Sequence, residues 1–363
     1  MVRAGRLYIA ILVACLAVVG AALHPVVFLL SLAPAYVGGV DSWLSNAKSV
    51  IADVLGWGLV SLFAVMGVLI LLGRSKRRST RASGKLRLPV SGERPGVVVA
   101  ITAYNDAEAT ARAVRDFMCQ DGVIEVLVID NNSSDGTARL AAAAGASVIH
   151  EGQQGYGYAC IRGLKEASRV LGAEVIVLTE GDGTFVAEDL PKFLAYIGQS
   201  DMVIGTRVVR GLVENGSQMD YFFTWGNMAV AALLRLRFWD SQFLGAARLS
   251  DVGCTYRAIR RDALERILPD LILGGNEFSA HMMLVALARG LSLVEIPITF
   301  RRRIGHSKGA SQSLAKGLQV GIAMIWHILT YHPRRANNKP VVLPLPAAEV
   351  VSLPVPEGAR TGP

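Results

Sequence analysis

Two acidic residues separated by one glycine follow an apolar run near the middle of the chain. Residues 175–178 are valine, isoleucine or leucine, and Glu180 and Asp182 come shortly after them. If this run is a buried strand, both carboxylates lie at its carboxyl end, where open α/β sheets bind their ligands. Carboxylate oxygens suit hard cations, and Mg²⁺ is commonly held by one or two carboxylates together with substrate phosphates. A turn after a strand uses the same residue types, so the surrounding sequence must decide between the two interpretations.

Polar residues also follow two earlier apolar runs. Tyr104, Asn105 and Asp106 follow the run 96–102, and Asp130 and Asn132 follow the run 123–129. A carboxylate at the last position of a strand can accept hydrogen bonds from ribose hydroxyls or a base. The serines and the glycine that come next are good helix caps and turn residues, which is a structural explanation for part of this segment.

Apolar runs and amphipathic segments alternate from residue 96 onward. Strands are predicted at 96–102, 123–129, 147–150, 174–178, 202–205 and 291–300, and helices at 106–118, 136–144, 158–170 and 187–197. Repeated strand–helix units of this length predict an α/β domain with a mostly parallel, doubly wound sheet. Gly155 and Gly157 resemble part of a dinucleotide-binding fingerprint, but they follow the third strand rather than the first. The sequence contains no P-loop, which argues against a P-loop NTPase.

The first 95 residues differ in composition from the rest of the chain. The whole chain has 363 residues, is 52% apolar and carries a net charge of +8. Apolar stretches predict transmembrane helices at 1–33 and 50–73, with a short external loop at 34–49. The basic linker 74–95 then predicts, by the positive-inside rule, a domain on the cytoplasmic side. A cleaved signal peptide is the alternative for the first stretch, and the second stretch would orient the domain in the same way.

These features predict a multi-pass protein of the plasma membrane. The positive charge is concentrated in the linker next to a predicted span, so we expect a membrane partner and no nucleic acid. Four cysteines without paired spacing predict free thiols rather than disulfides or a zinc site.

The C-terminal part of the chain contains one more apolar segment and a proline-rich tail. Residues 309–333 are mostly apolar but include Lys316 and His327, which predicts an interfacial helix, with a third membrane span as the alternative. Residues 334–363 are rich in proline, which predicts a disordered or polyproline II-like tail. The aromatic stretch 221–225 has two interpretations, as part of the core or as an apolar flap that meets prenyl chains.

Seven short motifs occur along the chain in the order found in a known family. They are AYND at 103–106, IDNNSSDGT at 129–137, GYG at 155–157, EGD at 180–182, GTR at 205–207, DVGCTYRA at 251–258 and RIGHSK at 303–308. The set resembles the family 2 glycosyltransferases of GT-A fold, and within them the dolichyl- or polyprenyl-phosphate sugar synthases. The resemblance covers residues 96–308, and an ordered set is far more specific than any single motif.

The resemblance implies roles for individual residues. It implies nucleotide-sugar binding by Tyr104, Asn105, Asp106, Asp130, Asn132, Gly155 and Gly157. It implies binding of Mg²⁺ or Mn²⁺ by Glu180 and Asp182, phosphate contacts by Arg207, Arg303 and Lys308, and catalytic roles for Asp251, Arg303 and Lys308.

Three residues depart from the family pattern. Glu180 stands where the first aspartate of the metal motif is usual, Asp106 where a glutamate is usual, and Asn131 where a second aspartate is common. We expect the longer Glu180 side chain to reach a metal through water, which leaves Asp182 as the expected direct ligand.

The implied reaction moves a hexose-type sugar from a GDP- or UDP-linked donor to a polyprenyl phosphate, with inversion at the anomeric carbon. A lipid phosphate is largely ionised at neutral pH, so it needs no strong general base. One alternative keeps the fold and changes the acceptor to a glycan or glycolipid. An alternative of another class is a catalytically silent, membrane-bound protein that binds nucleotide sugar or lipid phosphate.

Overall fold

The structure is a computed structural model of the chain, and it describes residues 95–219, 221–238, 248–304 and 313–332. Apart from residues 236–238, these residues belong to one compact unit, formed by Ser79–Arg235 and Ala247–Pro363. The predicted membrane helices at 1–33 and 50–73, the loop between them and the tail 334–363 lie outside the described residues. So does the predicted linker as far as residue 94.

Among the described residues, seven strands form one sheet. They are β1 (Val97–Ala103), β2 (Val123–Asp130), β3 (Ser147–His150), β4 (Val175–Glu180), β5 (Met202–Thr206), β6 (Arg257–Arg260) and β7 (Leu293–Pro297). Their order across the sheet is β3-β2-β1-β4-β6-β5-β7. Only β6 runs antiparallel to its neighbours. The prediction of an α/β domain with a mostly parallel sheet is therefore confirmed.

Eight α-helices lie within the described part of the chain. They are α1 (Ala107–Met118), α2 (Thr137–Ala143), α3 (Tyr156–Ala167), α4 (Leu190–Ile197), α5 (Tyr221–Arg237), α6 (Arg261–Ile267), α7 (Phe278–Ala288) and α8 (Leu314–Thr330). Helix α1 follows from its sequence pattern, because Ala109, Val114 and Phe117 fall on one buried side. Within the described residues, no helix combines the length and the apolar character needed to cross a bilayer.

Several predicted boundaries need correction. Helix α3 begins at Tyr156 rather than at residue 158. The segment 187–197 starts with a 3₁₀ turn before α4. Strand β7 ends at Pro297, short of residue 300, since proline has no N–H for the sheet. Strand β6 was not predicted, because it is short and has an arginine at each end, so no apolar alternation marks it.

The pairing of parallel strands brings the polar strand ends to one edge of the sheet. Ala103 of β1 pairs with Asp130 of β2, and Thr102 pairs with Glu180 of β4. Because parallel strands all end on the same side, the segments after β1, β2 and β4 meet there.

An aromatic cluster fixes the segments around this edge. The ring of Tyr256 lies 4.3 Å from that of Phe193 and 5.6 Å from that of Phe185, between centroids, and Phe185 contacts Phe300 at 5.4 Å. Each such pair contributes about 0.5–1.5 kcal/mol beyond the area that it buries. Phe185, Tyr256 and Phe300 are close in sequence to Asp182, Thr255 and Arg303. The cluster therefore holds three segments from distant parts of the chain against one another.

Candidate active site

One cavity of about 350 Å³ opens beside the carboxyl end of β4. Its polar end is lined by Glu180, Arg207 and Arg303, together with the hydroxyl-bearing residues Tyr156 and Thr255. Its apolar walls come from two helices. Helix α5 contributes Phe222, Phe223 and Val230, and α8 contributes Leu318, Ile322 and Ile325. The cavity therefore joins a charged end to an apolar cleft.

Glu180 is the acidic residue that faces this cavity. One of its oxygens, Oε1, accepts a hydrogen bond from the hydroxyl of Thr255. Burial, followed by the nearby charge of Asp182, raises the pKa of Glu180 to about 7. The site thus crowds negative charge at the place where the sequence predicts a cation.

Asp182 is buried and holds its neighbours rather than lining the cavity. Its Oδ1 accepts hydrogen bonds from the backbone N–H and the hydroxyl of Thr184, at 3.0 and 2.6 Å. Its Oδ2 lies 2.9 Å from Nη1 of Arg303, whose Nη2 lies 2.7 Å from Asp106. Asp106 and Asp182 together orient Arg303 at the polar end of the cavity, so the structure brings these three predicted residues together.

Asp251 is not among the residues that line the cavity, and its predicted catalytic role stays a prediction. It is fully buried and pairs with Arg207 through two contacts, 2.7 Å to Nε and 2.9 Å to Nη2. Burial alone would raise the pKa of Asp251, but the Arg207 guanidinium holds this pKa below its usual range. Asp251 is therefore an ionised partner that positions Arg207.

The segments after β1 and β2 are tied together by short polar side chains. The backbone N–H of Asn105 donates to the hydroxyl of Ser133, at 2.9 Å, and the Asn105 side-chain oxygen accepts from the N–H of Ser134, at 2.7 Å. Asn105 and Asn132 both have positive φ values, 52° and 63°, which short polar side chains tolerate. Tyr104 stands half-exposed next to them.

Asp130 has the position predicted for a nucleotide ligand. It is 5% exposed, and its Oδ1 has no hydrogen-bond partner among the described residues. Its Oδ2 lies 3.6 Å from Nδ1 of the exposed His150. A buried acceptor without a partner is costly, and a ribose hydroxyl or a base N–H would satisfy it. Its role stays a prediction.

Asn131 explains one departure from the family pattern. Its amide NH₂ donates to the carbonyls of Glu151 and Gln153, at 3.0 and 2.7 Å, and its oxygen accepts from the N–H of Gly155, at 2.9 Å. An aspartate could accept but could not donate to either carbonyl. The asparagine thus anchors the loop that leads into α3.

Gly155 and Gly157 pack against the backbone before α7. Gly155 has a φ of 153°, and a Cβ there would lie 2.5 Å from the carbonyl oxygen of Gly274. A Cβ on Gly157 would lie 2.1 Å from the carbonyl oxygen of Leu273. Both glycines are needed for this close approach, which is a packing reason distinct from the predicted contact with the nucleotide sugar.

The acidic residues fit a divalent cation in part. Among the described residues, no group of three or more histidine, cysteine or acidic side chains forms a ready metal cage. Glu180 and its neighbour Asp182 supply only oxygen donors, and burial, followed by the charge of Asp182, raises the pKa of Glu180. Such a pair suits Mg²⁺ or Mn²⁺, which take their other ligands from water and substrate phosphates.

Some residues of the cavity were missed by the sequence prediction, and one predicted residue has no described position. Tyr156, Thr255 and Ser279 form a chain of hydroxyl contacts beside Glu180. Tyr156 and Thr255 lie inside motifs that the sequence analysis identified, but Ser279 is in a uniformly apolar helix and carries no signal. Lys308 lies outside the described residues.

Comparisons with known proteins agree with this fold. The profile of the family "Glycosyl transferase family 2" matches residues 98–268. The chain is 31% identical to a dolichyl-phosphate hexose transferase of Haloferax volcanii over 63% of its own length and 92% of the relative's. It is 32% identical to an undecaprenyl-phosphate mannosyltransferase of Micrococcus luteus, over 63% and 96% of the two chains. It is also 30% identical to a polyprenol monophosphomannose synthase of Mycolicibacterium smegmatis, over 63% and 89%.

The chain belongs to the family 2 glycosyltransferases, and it is an enzyme of that class. Its relatives include several that act on polyprenyl-type phosphates. A crystal structure of glucosyl-3-phosphoglycerate synthase from Mycobacterium tuberculosis matches the fold with a TM-score of 0.50 and 15% identity, over 74% of this chain and 85% of that one. This match supports the GT-A fold.

Proposed function

We propose that this glycosyltransferase moves a hexose-type sugar from a GDP- or UDP-linked donor to a polyprenyl phosphate at the cytoplasmic face of the plasma membrane. The single observation that carries this proposal is the composition of the cavity. Its end holds two arginines, Arg207 and Arg303, and its walls are apolar residues of α5 and α8. An acceptor with an anionic head and a hydrocarbon tail fits both parts. The names of three relatives support the same class of acceptor.

The two arginines suit the charge changes of the reaction. An oxygen of the lipid phosphate attacks the anomeric carbon while the bond from that carbon to the donor diphosphate breaks, so a nucleoside diphosphate leaves. Displacement from the opposite face inverts the configuration. Arg303, oriented by Asp106 and Asp182, and Arg207, oriented by Asp251, supply fixed N–H donors for the leaving diphosphate as it gains negative charge.

The proposal includes a divalent cation held at Glu180 and Asp182. Bound Mg²⁺ or Mn²⁺ would neutralise part of the diphosphate charge. The described residues provide the carboxylates, and no general base is required because the lipid phosphate is already ionised.

Membrane association follows from two parts of the chain. The predicted helices at 1–33 and 50–73 would anchor the chain, and the basic linker would lie against anionic headgroups. In addition, α8 exposes Leu318, Ile322 and Trp326, each more than half exposed. We propose that this face lies at the interface, with the cleft open toward the lipid.

A donor panel tests the proposal. Membranes that contain the full chain are incubated with radiolabelled GDP- and UDP-hexoses and one polyprenyl phosphate, and Arg303→Ala membranes serve as the control. We expect an organic-extractable, mild-acid-labile product with at least one donor, and at least a tenfold loss in the variant. Absence of such a product with every donor would refute the proposal. Transfer to a glycan or glycolipid alone would establish the alternative acceptor.

A further inference from the structure

Three hydroxyl groups form a continuous chain that ends on Glu180. The hydroxyl oxygen of Tyr156 lies 3.1 Å from Oγ of Ser279 and also contacts Oγ1 of Thr255. The Thr255 hydroxyl in turn donates to Oε1 of Glu180. All four residues line the same cavity. Nothing in the sequence motifs or in the relatives assigns a role to this chain of hydroxyls.

The direction of each hydrogen bond is fixed when Glu180 is ionised. A carboxylate can only accept hydrogen bonds, so Thr255 must donate its single hydroxyl hydrogen to Glu180. Tyr156 must then donate to Thr255, and Ser279 must donate to Tyr156. Tyr156 and Thr255 therefore each donate one hydrogen bond and accept one, and Ser279 donates one.

The chain connects four separate elements of the fold. Glu180 ends β4, Tyr156 begins α3, Ser279 is near the start of α7, and Thr255 lies just before β6. Thr255 and Ser279 are buried, at 2% and 4% exposure, so the positions of these groups are set by the packing of the core. This arrangement restricts Glu180 and leaves its second oxygen, Oε2, for the cavity.

We propose that Tyr156 and Thr255, supported by Ser279, are positioning residues that set the affinity of Glu180 for a divalent cation. The proposal rests on the proposed function only in the identity of the site. It exchanges the expected roles of the two acids, because Glu180 becomes the ligand that faces the cavity while Asp182 holds Arg303.

Mn²⁺ binding to the purified full chain tests this proposal. The concentration of free Mn²⁺ is measured from its electron paramagnetic resonance signal. The samples contain detergent and either GDP or UDP. Loss of one hydrogen bond to the chain predicts a rise of about fivefold in the Kd for Mn²⁺ in Tyr156→Phe. Thr255→Val should weaken binding at least as much. Thr255→Ser keeps the hydroxyl and should stay within about twofold of the wild type. Tyr158→Phe is the matched control, because Tyr158 lies on the same helix but outside the cavity.

A double variant separates positioning from general damage. If Tyr156 acts through Glu180, Tyr156→Phe combined with Glu180→Gln should bind Mn²⁺ no more weakly than Glu180→Gln alone. Additive losses would overturn the proposal, as would unchanged binding in Tyr156→Phe or a wild type that leaves Mn²⁺ free with both nucleotides. The assay contains neither sugar nor lipid. A missing lipid product therefore counts against the proposed function and leaves this result in place.

Discussion

The two acids of the Glu180-Gly181-Asp182 motif differ in what they contact. Asp182 accepts hydrogen bonds from Thr184 and pairs with Arg303, whereas Glu180 faces the cavity. The sequence predicts Asp182 as the direct metal ligand, and the structure gives Glu180 the more open position. The reason is Arg303, which comes from a distant segment of the chain and donates a hydrogen bond to Oδ2 of Asp182. The motif by itself does not predict this contact.

The two acids should respond in opposite ways to neutralisation. Because burial and Asp182 raise the pKa of Glu180 from 4.5 to about 7, stability falls as the pH rises between these values, and the loss is complete above pH 7. At pH 8, Glu180→Gln should therefore raise the free energy of unfolding by about 1–3 kcal/mol and abolish most sugar transfer. Asp182→Asn breaks a buried ion pair and should lower the free energy of unfolding by about 3 kcal/mol.

Chemical unfolding at pH 8 and initial transfer rates check this contrast. Glu265→Gln, at an exposed position on α6, is a suitable control and should change both quantities little. Loss of stability in Glu180→Gln, or full activity in that variant, would contradict the assignment.

At the scale of elements, α5 and α8 form the apolar walls of the cavity, where we propose that the lipid acceptor binds. Gly321 of α8 lines the cleft, and a Cβ at this position would meet no atom within 4 Å among the described residues. A larger side chain can therefore enter the cleft without displacing the protein.

Filling the cleft should reduce acceptor binding selectively. Gly321→Leu is expected to raise the KM for polyprenyl phosphate about tenfold and to leave the KM for the sugar nucleotide nearly unchanged, because the donor end of the site is untouched. Helix stability should rise slightly, since glycine is a poor helix former. Ala323→Leu, on an exposed position of the same helix outside the cavity, is the matched control. Equal effects of both variants on the acceptor KM would contradict the role of the cleft.

The attachment of α8 to α7 depends on a pair of histidines. His281 of α7 is fully buried, and its Nδ1 lies 2.9 Å from Nε2 of His327 on α8. Its Nε2 lies 3.0 Å from the carbonyl oxygen of Asp270. Burial, with a smaller effect of His327, lowers the pKa of His281 to about 4. His281 is therefore neutral over the physiological pH range.

This pair should make the stability of the domain sensitive to mild acid. The unfolded chain takes up a proton at His281 near pH 6.5 and the folded chain only near pH 4, so stability falls as the pH decreases between these values. The loss is at most about 3 kcal/mol. His281→Gln should be less stable at pH 7 but should show a flatter dependence between pH 6.5 and 4. Urea unfolding at several pH values measures this, with His332→Gln, at an exposed position, as the control. A slope that the His281 variant leaves unchanged would refute the assignment.

At the scale of the whole molecule, the proposed location depends on segments outside the described residues. The apolar stretches in 1–33 and 50–73 are long enough to span a bilayer. If they do so, the full chain should remain in the membrane pellet after washing with alkaline carbonate and should require detergent for release.

A variant without residues 1–73 provides the comparison. It should leave the pellet in carbonate, although it retains α8 and the whole basic linker 74–95. A full chain that carbonate releases completely would contradict the predicted anchor. The orientation of the membrane-bound chain is a separate question. Inverted vesicles expose the cytoplasmic side, so protease added to them should cleave the domain if the predicted orientation is right.

Much of the fold could be predicted because its signals are local. Strands β1, β2 and β4 are apolar runs that end in polar residues, and their ends meet at one edge because parallel pairing requires it. Strand β6 escaped prediction because four residues with terminal arginines carry no alternation, although β4 and β5 pair with it on either side. The fold can therefore be predicted from the sequence wherever the apolar pattern of a segment indicates that the segment is buried.

The sequence by itself determined the family of this protein and the residues that are expected to carry its chemistry. The order of its motifs identified a family 2 glycosyltransferase, together with Glu180, Asp182, Arg207 and Arg303 as residues of one site. Only the tertiary structure decided how these residues share the work. It pairs Asp251 with Arg207 and Asp182 with Arg303. It also connects Tyr156, Thr255 and Ser279 to Glu180 through a chain of hydrogen bonds. These contacts join residues far apart in sequence, so they depend on how the core packs, which no local pattern encodes.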